Sequence, residues 1–103
     1  MTDLIVDKIA ERTAEKLSGA TIERTGEHAL TIRLPTGAVT LHHYAYGHEF
    51  QAHFVSTGGE RVEFTLAAAE AGIRSQFMYN PQSVDAVIEQ FVRTCEHLAS
   101  RAT

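Results

Sequence analysis

Hydrophobic positions at the start of the chain repeat with the spacing of an α-helix. Val6, Ile9 and Thr13 recur every three or four residues, and acidic and basic side chains fill the positions between them. Gly19 follows as a residue that commonly terminates helices. The pattern predicts an amphipathic helix over residues 3 to 18.

After residue 20 the hydrophobic period shortens to two, and clusters of turn residues interrupt it at regular intervals up to residue 66. Alternation of this kind, broken by glycine-containing turns, is typical of an antiparallel meander. About five strands are predicted, near residues 20 to 25, 28 to 34, 38 to 46, 49 to 56 and 60 to 66.

The hairpin loops determine how these strands pair, because a shift of one residue would turn every core side chain to solvent. A two-residue loop at residues 36–37 is predicted to place Leu34 opposite Val39. A second loop at residues 47–48 continues this alignment and places Ala45 on the core face. The apolar residues of neighbouring strands then share one side of the sheet.

Two helices are predicted after the strands. Residues 67 to 71 favour a short helix that Gly72 ends in a left-handed conformation. Asn80 and Pro81 are typical of the N-cap and first position of a long helix. The apolar face of that helix continues through Val84, Val87, Ile88, Phe91, Val92, Cys95 and Leu98.

The predicted elements fit an α+β fold. Two helices, each about 10 Å wide, cover one face of a sheet that is about 24 Å across. We therefore expect a two-layer sandwich: an N-terminal helix, an antiparallel meander of about five strands, a short helix and a long C-terminal helix, with both long helices on one sheet face. No linker-like run interrupts the chain, so residues 1–103 are expected to form a single domain.

Charge and composition exclude several classes of partner. Nine Lys and Arg against thirteen Asp and Glu give a formal charge of −4, which argues against duplex nucleic acid. The apolar runs are too short to span a membrane, and the N-terminus lacks the features of a secretory signal. A single cysteine, Cys95, forms no internal disulfide, which fits a reducing compartment. The sequence therefore predicts a cytoplasmic protein.

Histidines are concentrated in the middle of the meander: His42, His43, His48 and His53. In the predicted register, His42 faces His53 across the open side of the sheet and Glu63 lies beside His53. Two imidazoles and a carboxylate are ligand types of zinc and non-haem iron sites, so these three residues are candidate metal ligands. The competing interpretation is a solvated sheet surface, because three residues in a row span about 10 Å.

No catalytic constellation accompanies these histidines. Cys95 lies in the apolar stripe of the last helix, and no serine motif or glycine-rich phosphate loop is present. Tyr44, Tyr46 and Gln51 are predicted on the open face, and tyrosine is enriched where proteins meet partners.

These patterns favour a small intracellular, non-catalytic protein-binding module that inhibits, neutralises or escorts another protein. The residues predicted to bind are His42, Tyr44, Tyr46, Gln51, His53 and Glu63. Self-association into a homodimer through the same face is a variant of this hypothesis. The alternative is a small ligand-binding protein or enzyme that uses a pocket near His43 or a divalent transition metal held by His42, His53 and Glu63. No other cofactor is expected.

Overall fold

A computed structural model describes residues 3–44 and 46–100 of the chain. Its elements follow the order helix α1 (Leu4–Lys16), strands β1 (Thr21–Gly26), β2 (Ala29–Leu34), β3 (Gly37–Tyr44), β4 (Glu49–Ser56) and β5 (Arg61–Glu63), and helices α2 (Phe64–Glu70) and α3 (Val84–Ala99). All five strands form one antiparallel sheet in sequence order. The helices pack on this sheet, which confirms the predicted α+β fold.

Helix α1 begins at a side-chain cap. Asp3 has an extended backbone, and its Oδ1 accepts hydrogen bonds from the amides of Ile5 at 3.0 Å and Val6 at 3.2 Å. These bonds satisfy two of the backbone donors that a helix start leaves without a partner. Val6 and Ile9 are fully buried, so the cap also fixes which side of α1 meets the sheet.

One hydrophobic core lies between the helices and one face of the sheet. The α3 stripe predicted from the sequence is buried within it, and Phe91 stacks on Phe64 with ring centroids 4.6 Å apart. The strands contribute alternate residues to this core: Leu30, Ile32, Leu34, Val39, Leu41, Phe50 and Phe54. Their intervening residues point to the other face.

The turn between β2 and β3 differs from the prediction. Leu34 pairs with Gly37 rather than with Val39, so Pro35 and Thr36 occupy the turn. Proline favours the second position of a β-turn because its ring fixes φ near −65°. The pairing therefore moves by two residues, which preserves the face of every side chain.

The hairpin between β3 and β4 shows the same two-residue difference. Tyr44 pairs with Glu49, which makes the connection four residues long. His42 consequently pairs with Gln51, and the predicted pairing of His42 with His53 is wrong. Ala45, which the sequence places on the core face, lies outside the described residues.

Strand β5 is shorter than predicted. It ends at Glu63, and Phe64 begins α2, although the sequence alternates as a strand up to residue 66. The part of β4 that Leu66 would have met is occupied, because the amide of Phe50 donates to the carbonyl of Phe77 at 2.8 Å. Leu66 is 63% exposed on α2. Gly72 follows the helix with φ of +79°, as predicted.

Helix α3 begins later than predicted. Its N-cap is Ser83 rather than Asn80. The Asn80 side chain accepts from the amide of Gln82 at 3.0 Å, and the Asn80 carbonyl accepts from the amide of Ser83 at 2.9 Å. Asn80 and Pro81 thus build a turn that leads into the helix. None of the helices in the described ranges is long and apolar enough to cross a membrane.

Candidate functional site

The sheet face opposite the helices carries the residues predicted to bind a partner. His42 and Tyr44 on β3, Gln51 and His53 on β4, and Glu63 on β5 all lie on this face, because they alternate with core residues. We call this side of the sheet the open face. All three described helices pack against the opposite side of the sheet, within the core.

The register breaks the predicted straight row of His42, His53 and Glu63. His53 pairs with Thr40 on one side and with Glu63 on the other, and the second of these pairings is as predicted. His42 lies two positions further along β3, diagonal to His53. On the open face, His53 therefore lies beside Glu63 as predicted, whereas His42 lies outside the row that these two residues form.

A depression of about 450 Å³ runs along the edge of β4. It arises where β5 stops, because the pairing of β4 with β5 covers His53 but not Gln51 or Ala52. Five of the predicted site residues line it, together with Arg61 at the β5 side: His42, Tyr44, Gln51, His53 and Glu63. Gln76 and Phe77 border it from the segment that precedes α3.

Charged side chains on the open face are paired with one another. Arg33 lies 3.5 Å from Glu23, and Arg61 lies 3.8 Å from Glu63. All four side chains are more than half exposed, so each pair contributes at most about 1 kcal/mol to stability. These two pairs neutralise their own charges, whereas Glu49 adds a carboxylate to the face that accepts from the Gln51 side-chain amide at 2.9 Å.

Tyr44 and Tyr46 form an exposed aromatic end to this face. Tyr44 is 47% exposed and Tyr46, in the β3–β4 turn, is fully exposed. A second depression, of about 480 Å³, lies against them. Its lining continues to Glu49 and, on the other side, to His28 and His43.

His28 and His43 belong to a hydrogen-bonded cluster at the start of α1, which we call the Asp3 cluster and which also includes Asp3 and Tyr79. The Nδ1 atoms of His28 and His43 each lie 2.6 Å from Oδ2 of Asp3. The Nε2 atom of His43 lies 2.5 Å from the Tyr79 hydroxyl. His43 is buried and packs on Phe50 at a ring distance of 5.4 Å, whereas His28 is half exposed.

The donors and acceptors of the Asp3 cluster follow from the chemistry of each group. An ionised carboxylate only accepts hydrogen bonds, so both Nδ1 atoms donate to Asp3. In the neutral form of the His43 ring, Nε2 then accepts from the Tyr79 hydroxyl. Burial and the negative charge of Asp3 raise the pKa of Tyr79, so its hydroxyl keeps its proton and remains a donor at neutral pH.

The pKa of Asp3 reflects two opposing effects. Burial is the largest and would raise the pKa, because it disfavours the charged carboxylate. The hydrogen bonds from His28, His43 and the Val6 amide act in the other direction and together outweigh it. The pKa of Asp3 therefore lies below its usual value of 3.8.

Sequence reasoning missed the Asp3 cluster. The available signal was an aspartate directly before an amphipathic helix, which indicates an N-cap. The second role of Asp3 is to bind the rings of His28 and His43, which lie 25 and 40 residues away in sequence. No local sequence pattern reveals such contacts. Tyr79 stacks on Phe50 with ring centroids 5.1 Å apart.

Comparisons of the chain with models of protein families, with curated proteins and with solved structures find no match. The two sites are therefore interpreted from their own geometry.

Proposed function

We propose that this protein is a non-catalytic protein-binding module that holds a partner protein, with a basic contact surface, on the open face. The observation that carries the proposal is a sheet face free of the described helices, with Tyr44 and Tyr46 exposed at one end and a depression lined by both tyrosines. Because the single cysteine forms no internal bridge, we place this module in the cytoplasm.

The size and composition of the open face support a protein partner. The five strands, of three to eight residues, give a projected area of roughly 500 Å². A standard interface buries about 800 Å² on each partner, and side chains add area to the projected value. Tyrosine supplies a large contact surface at low conformational cost, so Tyr44 and Tyr46 are the expected anchors.

Charge determines which partner suits this face. The formal charge of −4 attracts a basic surface over a distance of about 10 Å. The arginines of the face are paired with Glu23 and Glu63, so they repel such a surface only weakly. Glu49 borders the tyrosines, and an incoming arginine can stack on a tyrosine ring while it pairs with this carboxylate.

The β1 edge of the sheet, which is longer than the three-residue β5 edge, is less suited to binding than the open face. The pairing of β1 with β2 is irregular between Arg24 and Gly26. The Arg24 side chain donates to the backbone carbonyls of Gly26 and Glu27, and it also pairs with Asp7. A bulge and charged side chains are features that discourage the addition of another strand.

The alternative of an enzyme or ligand pocket centred on His43 receives less support. Both ring nitrogens of His43 are already engaged, by Asp3 and by Tyr79. A histidine that acts as a general base needs one nitrogen directed at a substrate. The ring is also packed against Phe50 and is almost inaccessible.

Site-specific photo-crosslinking tests the proposal in the cells that express the protein. A photoreactive phenylalanine analogue at position 46 should capture one protein, which is then purified and titrated against the parent. We expect Tyr44→Glu to weaken that purified complex at least tenfold, because the loss of an aromatic anchor costs more than the new carboxylate can regain by pairing with a basic surface. Affinity should also fall as salt increases, because screening weakens the attraction to a basic partner.

Leu66→Glu is the matched control, because it changes an exposed apolar residue on the helical side. Binding that resists Tyr44→Glu but is lost in Leu66→Glu would overturn the proposal. A partner that binds equally at all salt concentrations would exclude the basic contact surface. Sedimentation that shows a dimer of the parent, dissociated by Tyr44→Glu, would assign the face to a second copy of the chain instead.

A further inference from the structure

Three side chains of metal-ligand type converge in the Asp3 cluster. One potential ligand atom from each of Asp3, His28 and His43 lies within 4.8 Å of the other two, and Oδ2 of Asp3 lies 2.6 Å from Nδ1 of both histidines. We propose that these three residues bind a divalent transition-metal ion of the zinc type. The site is separate from the candidate ligands on the open face and does not depend on the proposed protein partner.

The donor set selects the class of ion. Neutral imidazole nitrogens with one carboxylate oxygen suit Zn²⁺ and neighbouring transition metals. Mg²⁺ and Ca²⁺ prefer oxygen ligands, and only one of the three donors is oxygen. Three protein ligands leave further coordination positions for water, as in zinc sites that are not closed.

The distances require a small expansion to admit an ion. Zinc bonds of about 2.0–2.1 Å in a tetrahedral site separate neighbouring ligand atoms by about 3.3 Å. The present separation between Oδ2 of Asp3 and either Nδ1 is 2.6 Å. Oδ2 of Asp3 must therefore move away from each Nδ1 by less than about 1 Å, and the half-exposed ring of His28 has room to adjust.

The rest of the cluster holds two of the ligands in place. Oδ1 of Asp3 is fixed by the amides of Ile5 and Val6, which leaves Oδ2 for the ion. The ring of His43 is held from its other nitrogen by Tyr79. Outer hydrogen bonds of this kind orient metal ligands and raise their affinity.

Ion binding changes the positions of protons in a definite way. Each Nδ1 must give up its proton to offer a lone pair, and the neutral ring then carries its proton on Nε2. Nε2 of His43 would become a donor to the Tyr79 oxygen, which reverses the present hydrogen bond. His28 would direct its Nε2 proton to solvent. The depression beside His28 and His43 gives the ion and its water ligands access.

Zinc titration of the chelator-treated protein is the direct test. In the parent, Zn²⁺ at about 100 times its Kd should raise Tm by more than about 5 °C. Calorimetry should show that His28→Gln weakens zinc binding at least tenfold, and this variant should fold because His28 is half exposed. Tyr79→Phe removes the hydrogen bond between the Tyr79 hydroxyl and His43, and it should weaken zinc binding about tenfold. Co²⁺ bound to the parent should give visible absorption bands that His28→Gln loses.

The control is His53→Gln, which alters a histidine of the open face and should leave zinc affinity and Tm shift unchanged. Absence of a Tm shift in the parent, or an equal shift in His28→Gln, would overturn the proposal and leave the cluster as a set of hydrogen bonds. Zinc binding lost in His53→Gln but kept in His28→Gln would place the ion on the open face.

Discussion

Oδ2 of Asp3 lies 2.6 Å from Nδ1 of His43, although 40 residues separate the two in sequence. Because Oδ1 of the same carboxylate caps α1, this contact joins the start of the first helix to the end of strand β3. The helix start and the sheet are therefore stabilised by one charged group.

Asp3→Asn should destabilise the protein by about 1.5–3 kcal/mol at pH 7, because hydrogen bonds to a charged acceptor are lost. The pKa of Asp3 is lowered on folding, so its contribution is present above the unfolded value near 3.8 and is lost as the pH falls through the folded pKa. Urea unfolding at pH 7, 5 and 3.5 measures this. The difference between parent and variant should shrink below pH 4.

Glu15→Gln on the exposed side of α1 is the control and should change little at any of these pH values. A difference between Asp3→Asn and the parent that stays constant down to pH 3.5 would contradict the assigned role of the carboxylate.

Tyr79→Phe should cost about 1–3 kcal/mol in the free energy of unfolding without metal. The substitution keeps the ring that stacks on Phe50 but removes the hydroxyl that donates to His43, which leaves a buried acceptor without its partner. Denaturant unfolding measures the loss. Tyr46→Phe, at a fully exposed position, should be neutral, and equal effects of the two changes would refute the buried hydrogen bond.

Gly37→Ala should destabilise the protein by several kcal/mol or prevent folding. A Cβ atom at this position would lie 2.2 Å from the Val55 carbonyl oxygen and 2.7 Å from Cα of Ser56, and backbone atoms of a central strand pair cannot withdraw cheaply. Thermal unfolding provides the comparison. Gly19→Ala meets no atom within 4 Å and should retain the parent Tm to within a few degrees.

Cys95 should not react with thiol reagents while the protein is folded. The residue is completely buried in α3, and burial raises the pKa of its thiol far above the ordinary range, so almost no thiolate is present. Mass spectrometry after iodoacetamide treatment should show no adduct in buffer and one adduct in denaturant. Rapid labelling of the native protein would contradict this prediction and show that the Cys95 thiol is accessible to the reagent.

The sequence was sufficient for the features that depend on period. Helices α1 and α3 and the buried face of each strand follow from hydrophobic spacing, and the pairing of His53 with Glu63 is as predicted. The pairing errors at the β2–β3 and β3–β4 turns were of two residues, so His42 stayed on its predicted face while its neighbour changed. At the β2–β3 turn, the preference of Pro35 for a turn position contained the missing information.

Features that depend on which of two distant segments pairs with the same part of the fold were not predictable from local sequence patterns. The sequence pattern predicts Phe64 as a strand residue. In the structure the outer edge of β4 instead accepts the segment around Phe77 as its neighbour, and the alanine-rich segment forms a helix from Phe64 onward. Asn80 has the composition of a helix cap, yet its side chain closes a turn. The Asp3 cluster depends on contacts distant in sequence.

Because the two oxygens of Asp3 bind α1 and β3, local unfolding of the first turn of α1 and of the end of β3 should occur together. Unwinding the first turn of α1 would release the carboxylate from His43, and loosening the end of β3 would release it from the helix amides. Hydrogen exchange should therefore detect one common opening energy for the amides of Val6 and His43, and a bound ion should slow both by the same factor.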